Sequence, residues 1–249
     1  MKKKFIYILF VLVILIGGGY FLLKDSDLFK VNENSLSNVV NQHIVNSDND
    51  NSNGSDIDEN KPLSFTLSDG LEITAVGSYK GMYVEDGSND KVKNVLAIEV
   101  KNTTGSVLQY CEITLSGGNG VAKFNVSTLY PGETALVMEA NRQEFIKDKG
   151  TYLNASASNV VFFRQSPSFY NERLVVQTLD GALNVKNVSN STIQGPIYIY
   201  YKNKQDDMYL GGITYRCKID SLKAGEIKQG MTSHFSKENS EIVFITIGQ

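Results

Sequence analysis

"AIEVKN" at Ala97–Asn102 and "ALNVKN" at Ala182–Asn187 decide how this chain is built. In a strand, successive side chains point to opposite faces of the sheet. Ala97, Glu99 and Lys101 therefore share one face, and Ile98, Val100 and Asn102 share the other. Each phrase ends in Asn, a residue that tolerates turn dihedrals and bonds its own backbone, so each reads as a strand running out into a turn. The two phrases lie 85 positions apart. A second pair of stretches follows in the same order, "YPGE" at Tyr130–Glu133 and "KAGE" at Lys223–Glu226, 93 positions apart. A third pair, "SNVVFFR" from Ser158 and "SEIVFIT" from Ser240, is 82 apart. Three ordered anchors whose offsets differ only by loop-sized amounts predict a tandem duplication, with one copy over 62–168 and the other over 169–249.

Between the anchors, short runs rich in Val, Ile, Tyr, Phe and Thr alternate with clusters of Gly, Asn, Ser and Asp. Examples are "LEITAVGSY", "VLQYCEITL", "GVAKFNVST", "GPIYIYYKN" and "MYLGGITYRCKI". Strands at this spacing, with no long amphipathic helix among them, predict an all-β fold of antiparallel sandwiches.

The pattern resembles the bacterial FxLYD-type and related extracellular Ig-like domains. In these, a strand ending in V-K-N leads to a Ser/Thr-rich turn, a strand ending in F/L-Y-D, a hairpin and L-x-P-G-E. In the second copy Tyr200-Tyr201-Lys202-Asn203 stands where F/L-Y-D would be, and "YLGG" follows as the hairpin's return strand. In the first copy "VKNTT" and "LYPGE" match, while the Tyr-Asp signature is missing. The resemblance covers most of 90–249. It implies two tandem Ig-like β-sandwiches on the outside of a bacterial, Gram-positive cell. Such modules are generally not enzymes, and the family brings no catalytic residues to transfer.

The amino terminus suggests how such modules would be held. "MKKK" precedes "FIYILFVLVILIGGGYFLL", Phe5–Leu23, which carries no charge. About 20 apolar residues in a helix cross the ~30 Å hydrocarbon core. The positive-inside rule keeps Lys2, Lys3 and Lys4 in the cytoplasm. Residues 1–4 are thus expected to be a cytoplasmic tail, 5–23 a transmembrane signal-anchor in contact with the lipid bilayer, and everything after it extracellular. The alternative is a cleaved signal peptide cut after Gly18 or Gly19, which would give a secreted form. No Cys follows the apolar run to accept a lipid. Residues 24–61 hold few apolar groups and no periodicity, so a disordered extracellular linker is expected there. Within it Asp48, Asp50, Ser52 and Glu59 match four positions of an EF-hand loop. The glycine, Gly54, stands one position late and no amphipathic helix flanks the segment, so an acidic linker is expected rather than a Ca²⁺ site.

Composition narrows the chemistry. A net charge of -3 argues against a nucleic-acid partner, which requires a basic face. Two His and two Cys leave little material for His-based catalysis, a metal site or a disulfide framework. His234 in "TSHFS" is the sole histidine after the linker, and no nucleophile-elbow pattern surrounds any Ser. Alternation places Cys111 and Cys217 on apolar faces of different copies, where they read as small core residues. Asp206-Asp207 in "KNKQDDMY" reads as a solvated hairpin tip. No cofactor motif is present.

Tyrosine offers the best binding hint. "PIYIYYKN" sets Tyr198 and Tyr200 on one strand face, and "MYLGGITYR" adds Tyr209 and Tyr215. These four are the candidate binding surface, tyrosine being well suited to contact protein or sugar; packing between the two modules is the competing use of the same side chains. The expectation is a non-enzymatic envelope protein that presents its modules to a protein or wall-polymer partner. The alternative is an accessory subunit of a membrane transport, secretion or sensing complex.

Overall fold

The repeated phrases are the inner strands of two equivalent hairpins. The computed structural model describes residues 63–118, 120–147 and 152–248. Its strands are β1 (Phe65–Thr66), β2 (Leu71–Tyr83), β3 (Asp90–Asn102), β4 (Leu108–Gly117), β5 (Gly120–Leu129), β6 (Thr134–Met138) and β7 (Asn154–Phe162), then β8 (Leu174–Leu179), β9 (Ala182–Asn187), β10 (Ile197–Gln205), β11 (Met208–Ile219), β12 (Ile227–Met231) and β13 (Ser240–Ile247). Among the described residues the only helical element is a 3-10 turn at Ser68–Gly70, so the fold is all-β, as expected. No helix among them is long and apolar enough to cross a membrane. The apolar run Phe5–Leu23, the linker 24–61 and the EF-hand-like stretch lie outside the described residues.

Strands β2 to β7 and β8 to β13 make the same pairings in the same order. β3 lies between β2 and β6 as β9 lies between β8 and β12, and β4 lies between β5 and β7 as β10 lies between β11 and β13. Alternating side chains then close a sandwich-like core in each half. Leu71, Ile73, Ile98, Val100, Ile113, Phe124 and Val137 fill the first. Leu183, Val185, Ile197, Ile199, Cys217, Ile219 and Ile245 fill the second.

Both anchor phrases do the same work. Asn102 and Asn187 each end a strand and bond the backbone two residues on, as expected, and both are fully buried. Asn102 Nδ2 donates to the carbonyls of Ser106 at 2.9 Å and Leu129 at 2.8 Å, and its Oδ1 accepts from the Thr104 amide at 3.0 Å and hydroxyl at 2.7 Å. Asn187 does the same with Ser191, Leu222 and Ser189, at 2.8, 2.9, 3.0 and 2.7 Å. Each Asn backbone also pairs with the neighbouring PGE or AGE turn. Asn102 N donates to Glu133 O and Asn102 O accepts from Gly132 N, and Asn187 pairs in the same way with Glu226 O and Gly225 N. The amide ties its own turn to a carbonyl from a second loop, adding a donor to backbone groups at a buried position.

The halves differ most in the length of their first hairpin. Leu71 to Asn102 is a 32-residue hairpin, whereas the equivalent Leu174 to Asn187 takes 14, because Asp180-Gly181 turns the chain at once. The extra length in the first half is an arm formed by the far ends of β2 and β3 and the loop Val84–Asn89. In the second half the β10–β11 hairpin runs on to a turn at Asp206-Asp207, both at positive φ, a geometry that suits the right-handed twist of a hairpin. Its return strand pairs parallel to β6, Tyr209 with Ala135 and Leu210 with Leu136. One seven-stranded sheet, β1-β2-β3-β6-β11-β10-β13, therefore runs through both halves, and the described residues belong to one compact unit.

Candidate functional site

The elongated arm of the first half and the β10–β11 hairpin of the second meet at Gly211-Gly212. Glu85, on the loop of the first arm, accepts the Met138 amide at 2.9 Å and the Gly212 amide at 3.0 Å on each carboxylate oxygen. Lys202, on β10, donates to three carbonyls: Ser127 at 2.9 Å, Gly212 at 3.2 Å and Ile213 at 2.9 Å. Ser127 Oγ adds a bond to Gly212 O at 2.8 Å and shares one with Thr214 at 2.9 Å. Gly212 thus receives an anion on its amide and a cation on its carbonyl.

Local sequence explains how a lysine reaches this place. Strand β10 slips register against β13 between Tyr200 and Tyr201, and against β11 between Tyr201 and Asn203. The bulge leaves Lys202 without a partner on β11 and turns it inward directly after inward-facing Tyr201. Lys202 is fully buried. Its three N–H donors match three carbonyl acceptors, the geometry of an ammonium. Burial pushes the enclosed Glu85 carboxyl up to about 7, although the Met138 and Gly212 amides and then Lys202 oppose the rise. Burial pulls Lys202 down to about 7, against the attraction of Glu85.

The glycines are required. Gly211 holds φ +85, and a Cβ there would strike Val84; a Cβ on Gly212 would strike the Asn125 carbonyl and Val137. Gly212→Ala is therefore expected to loosen the joint while leaving both cores folded. Limited proteolysis should cut the β10–β11 hairpin at least ~10-fold faster than in the parent protein, the factor that ~1.4 kcal/mol of lost local stability brings. An unchanged rate would show that the strands part easily at this point and that the close approach has no mechanical weight.

The arm makes a second contact with the C-terminal half. Asn89 Nδ2 lies 3.0 Å from His234 Nδ1, and the His234 ring stacks on Tyr215 at 4.7 Å. Arg142 stiffens the arm's loop. Its guanidinium meets Asp86 at 2.6 Å, Asp90 at 2.9 Å and Ser88 at 3.1 Å, and lies 4.5 Å over the Tyr83 ring. The Ser88 hydroxyl and amide, followed by Arg142, hold the Asp86 carboxyl down to about 2.

The structure disperses the four tyrosines rather than gathering them on one open face. Tyr209 is buried in the first core. Tyr200 stacks on Phe244 at 4.2 Å and packs against that same core. Tyr215 stacks on Tyr201 at 5.3 Å, with its hydroxyl buried. Tyr198 stands apart, half-buried, with the Arg216 guanidinium 4.9 Å from its ring. Three of the four therefore serve packing around the joint. Asp206 and Asp207 are exposed at the hairpin tip, as expected. Cys111 and Cys217 are free and buried in separate cores, and burial pushes the Cys111 thiol up to about 12. Glu85 and Lys202 escaped sequence reading; the only available sign was a lysine embedded in the apolar "YIYYKN".

Comparison with protein families, with curated proteins and with solved structures gave no match.

Proposed function

We propose that this chain is a non-enzymatic, membrane-anchored presenter on the outer face of a bacterial cell, carrying two Ig-like sandwiches to a protein or wall-polymer partner. The run Phe5–Leu23 anchors it and residues 24–61 space it from the bilayer. The observation that carries this reading is the joint. The elongated β2–β3 arm and the β10–β11 hairpin join the repeats in a continuous sheet, and the Glu85–Gly212–Lys202 knot, with Lys202 fully buried, fixes them there. Flexible tandem modules need no such investment, since relative motion is the default for small inter-domain interfaces. A rigid pair holds a binding face at a set angle and lowers the ordering cost of binding.

The test is cross-linking of intact native cells with an amine reagent that cannot cross membranes, followed by peptide mapping. Lysines of 62–249 are expected to react from outside and to link repeatedly to one envelope protein or to wall material. Labelling that appears only after lysis would overturn the surface assignment.

A further inference from the structure

Comparing the repeats shows a surface that one half covers and the other leaves open. Met138 and Met231 occupy the same place: Met138 sits opposite Ala97 on β3, and Met231 sits opposite Ala182 on β9. Met138 is fully buried, whereas Met231 is 75 % exposed. In the first half, the arm lays Tyr79, Tyr83, Val84 and Val95 over Met138, and Leu210 of the entering strand β11 joins that cluster. In the second half the arm is absent, because Asp180-Gly181 replaces it. Ile227, near the other end of β12, is 60 % exposed.

The backbone tells the same story. β6 lies between β3 and β11, while its counterpart β12 is an edge strand with β9 alone beside it. An unpaired edge with apolar side chains is a template for another strand, and natural recognition uses such edges for strand addition.

We propose that the free edge of β12 takes up an extended segment of another protein. That segment would run parallel to β12, as β11 runs beside β6, and lay one apolar side chain beside Met231, as Leu210 lies by Met138, and a second beside Ile227. The β6–β11 junction is the template for the contact, since it combines parallel pairing with Leu210 packed toward Met138. A second copy's strand of this build, Met208–Gly212, is already committed to its own β6, so pairing through a copy's edge strand is the outcome that counts against the proposal. A glycan is not the occupant, having no amide ladder to extend the sheet. The inference rests on the proposed presenting role and names the partner class as protein.

The test places a benzophenone amino acid at position 231 or 227 of the full-length chain in native cells, with positions Met82 and Val121 as exposed apolar controls. Irradiation is expected to link one protein of different sequence from 231 and 227 but not from the controls, with the linked peptide mapping to a single extended segment. Adding Ile227→Lys, or separately Gln229→Lys, should cut the yield from position 231 about tenfold at an unchanged urea midpoint, the loss expected for one buried anchor. Links to another copy of this chain, equal yields at the controls, no protein link, or yields that neither lysine lowers would each overturn the proposal. The impermeant cross-linking described above reads lysines over the whole surface. A partner found there but never from positions 231 or 227 would sink this face alone and leave the presenting role standing.

Discussion

Lys202→Met is expected to destabilise the protein by ~3–5 kcal/mol near neutral pH, because it removes a fully buried cation held to three carbonyls and leaves the partly buried Glu85 carboxylate across Gly212 without its nearby positive charge. Ser127 O, Gly212 O and Ile213 O lose the ammonium donor, the first two keeping only hydroxyl donors from Thr214 and Ser127, and Glu85 loses the nearby cation. Glu85→Gln in the same chain should recover part of the loss, since the anion disappears with the cation. Because Glu85 can neutralise by taking up a proton, the single variant should suffer less at pH 5 than at pH 8. Urea unfolding of the parent and the two variants measures all of this. A loss below ~1 kcal/mol is the exposed-pair value, and it would show that water reaches the knot.

The titration of the pair carries its own sign. The folded Glu85 pKa is raised to about 7 by burial, so its contribution is complete below the ordinary carboxylate range and is lost as pH rises through 7. The folded Lys202 pKa is lowered to about 7, so its contribution is complete above the ordinary ammonium range and is lost as pH falls through 7. The two limbs meet near neutrality. Relative to the double variant Glu85→Gln/Lys202→Met, the parent protein should therefore gain stability on moving from pH 7 toward either pH 5 or pH 9. A flat difference across this range would mean that neither group is shifted.

Asn102→Ala and Asn187→Ala are each expected to cost ~2–4 kcal/mol, since each strands buried backbone groups whose loss of a partner costs ~1–3 kcal/mol apiece. Leu129 O loses the Asn102 donor in one variant; in the other Leu222 O loses the Asn187 donor and keeps the Ile193 amide. Ser or Asp should not rescue, because neither supplies a two-hydrogen donor and an acceptor from one planar group. Equal losses at the two positions, read from urea midpoints, are the mark of a true structural repeat. A loss at one position only would show that the matching phrases do different work.

The repeated phrases were legible in the sequence, and the two sets of strands pair in the same order. Each V-K-N phrase and its P-G-E or A-G-E partner are hydrogen-bonded to each other in both copies, so spacing in sequence reported contact in space. The buried role of Asn102 and Asn187 was not legible. A terminal Asn looks the same whether its amide faces water or caps carbonyls from another loop, and only the loop that comes back to it decides.

The tyrosines show the same limit. Alternation correctly set Tyr200 opposite Ile199 and Tyr201, but it could not say that Phe244 would lie on Tyr200 or that Tyr209 would enter the first core. Those contacts join segments far apart in the chain.

Period-two alternation, turn residues and the repeated anchors depend on neighbours a few residues away, and these determined the all-β class, the order of the strands and the twofold repeat. The shared sheet, the inward turn of Lys202 at a bulge, its pairing with Glu85 across Gly212 and the bare edge of β12 were decided by the tertiary structure. Each depends on how far one hairpin reaches into the other half, and a length difference between two hairpins has no local signature. Only packing turns it into a contact or an opening.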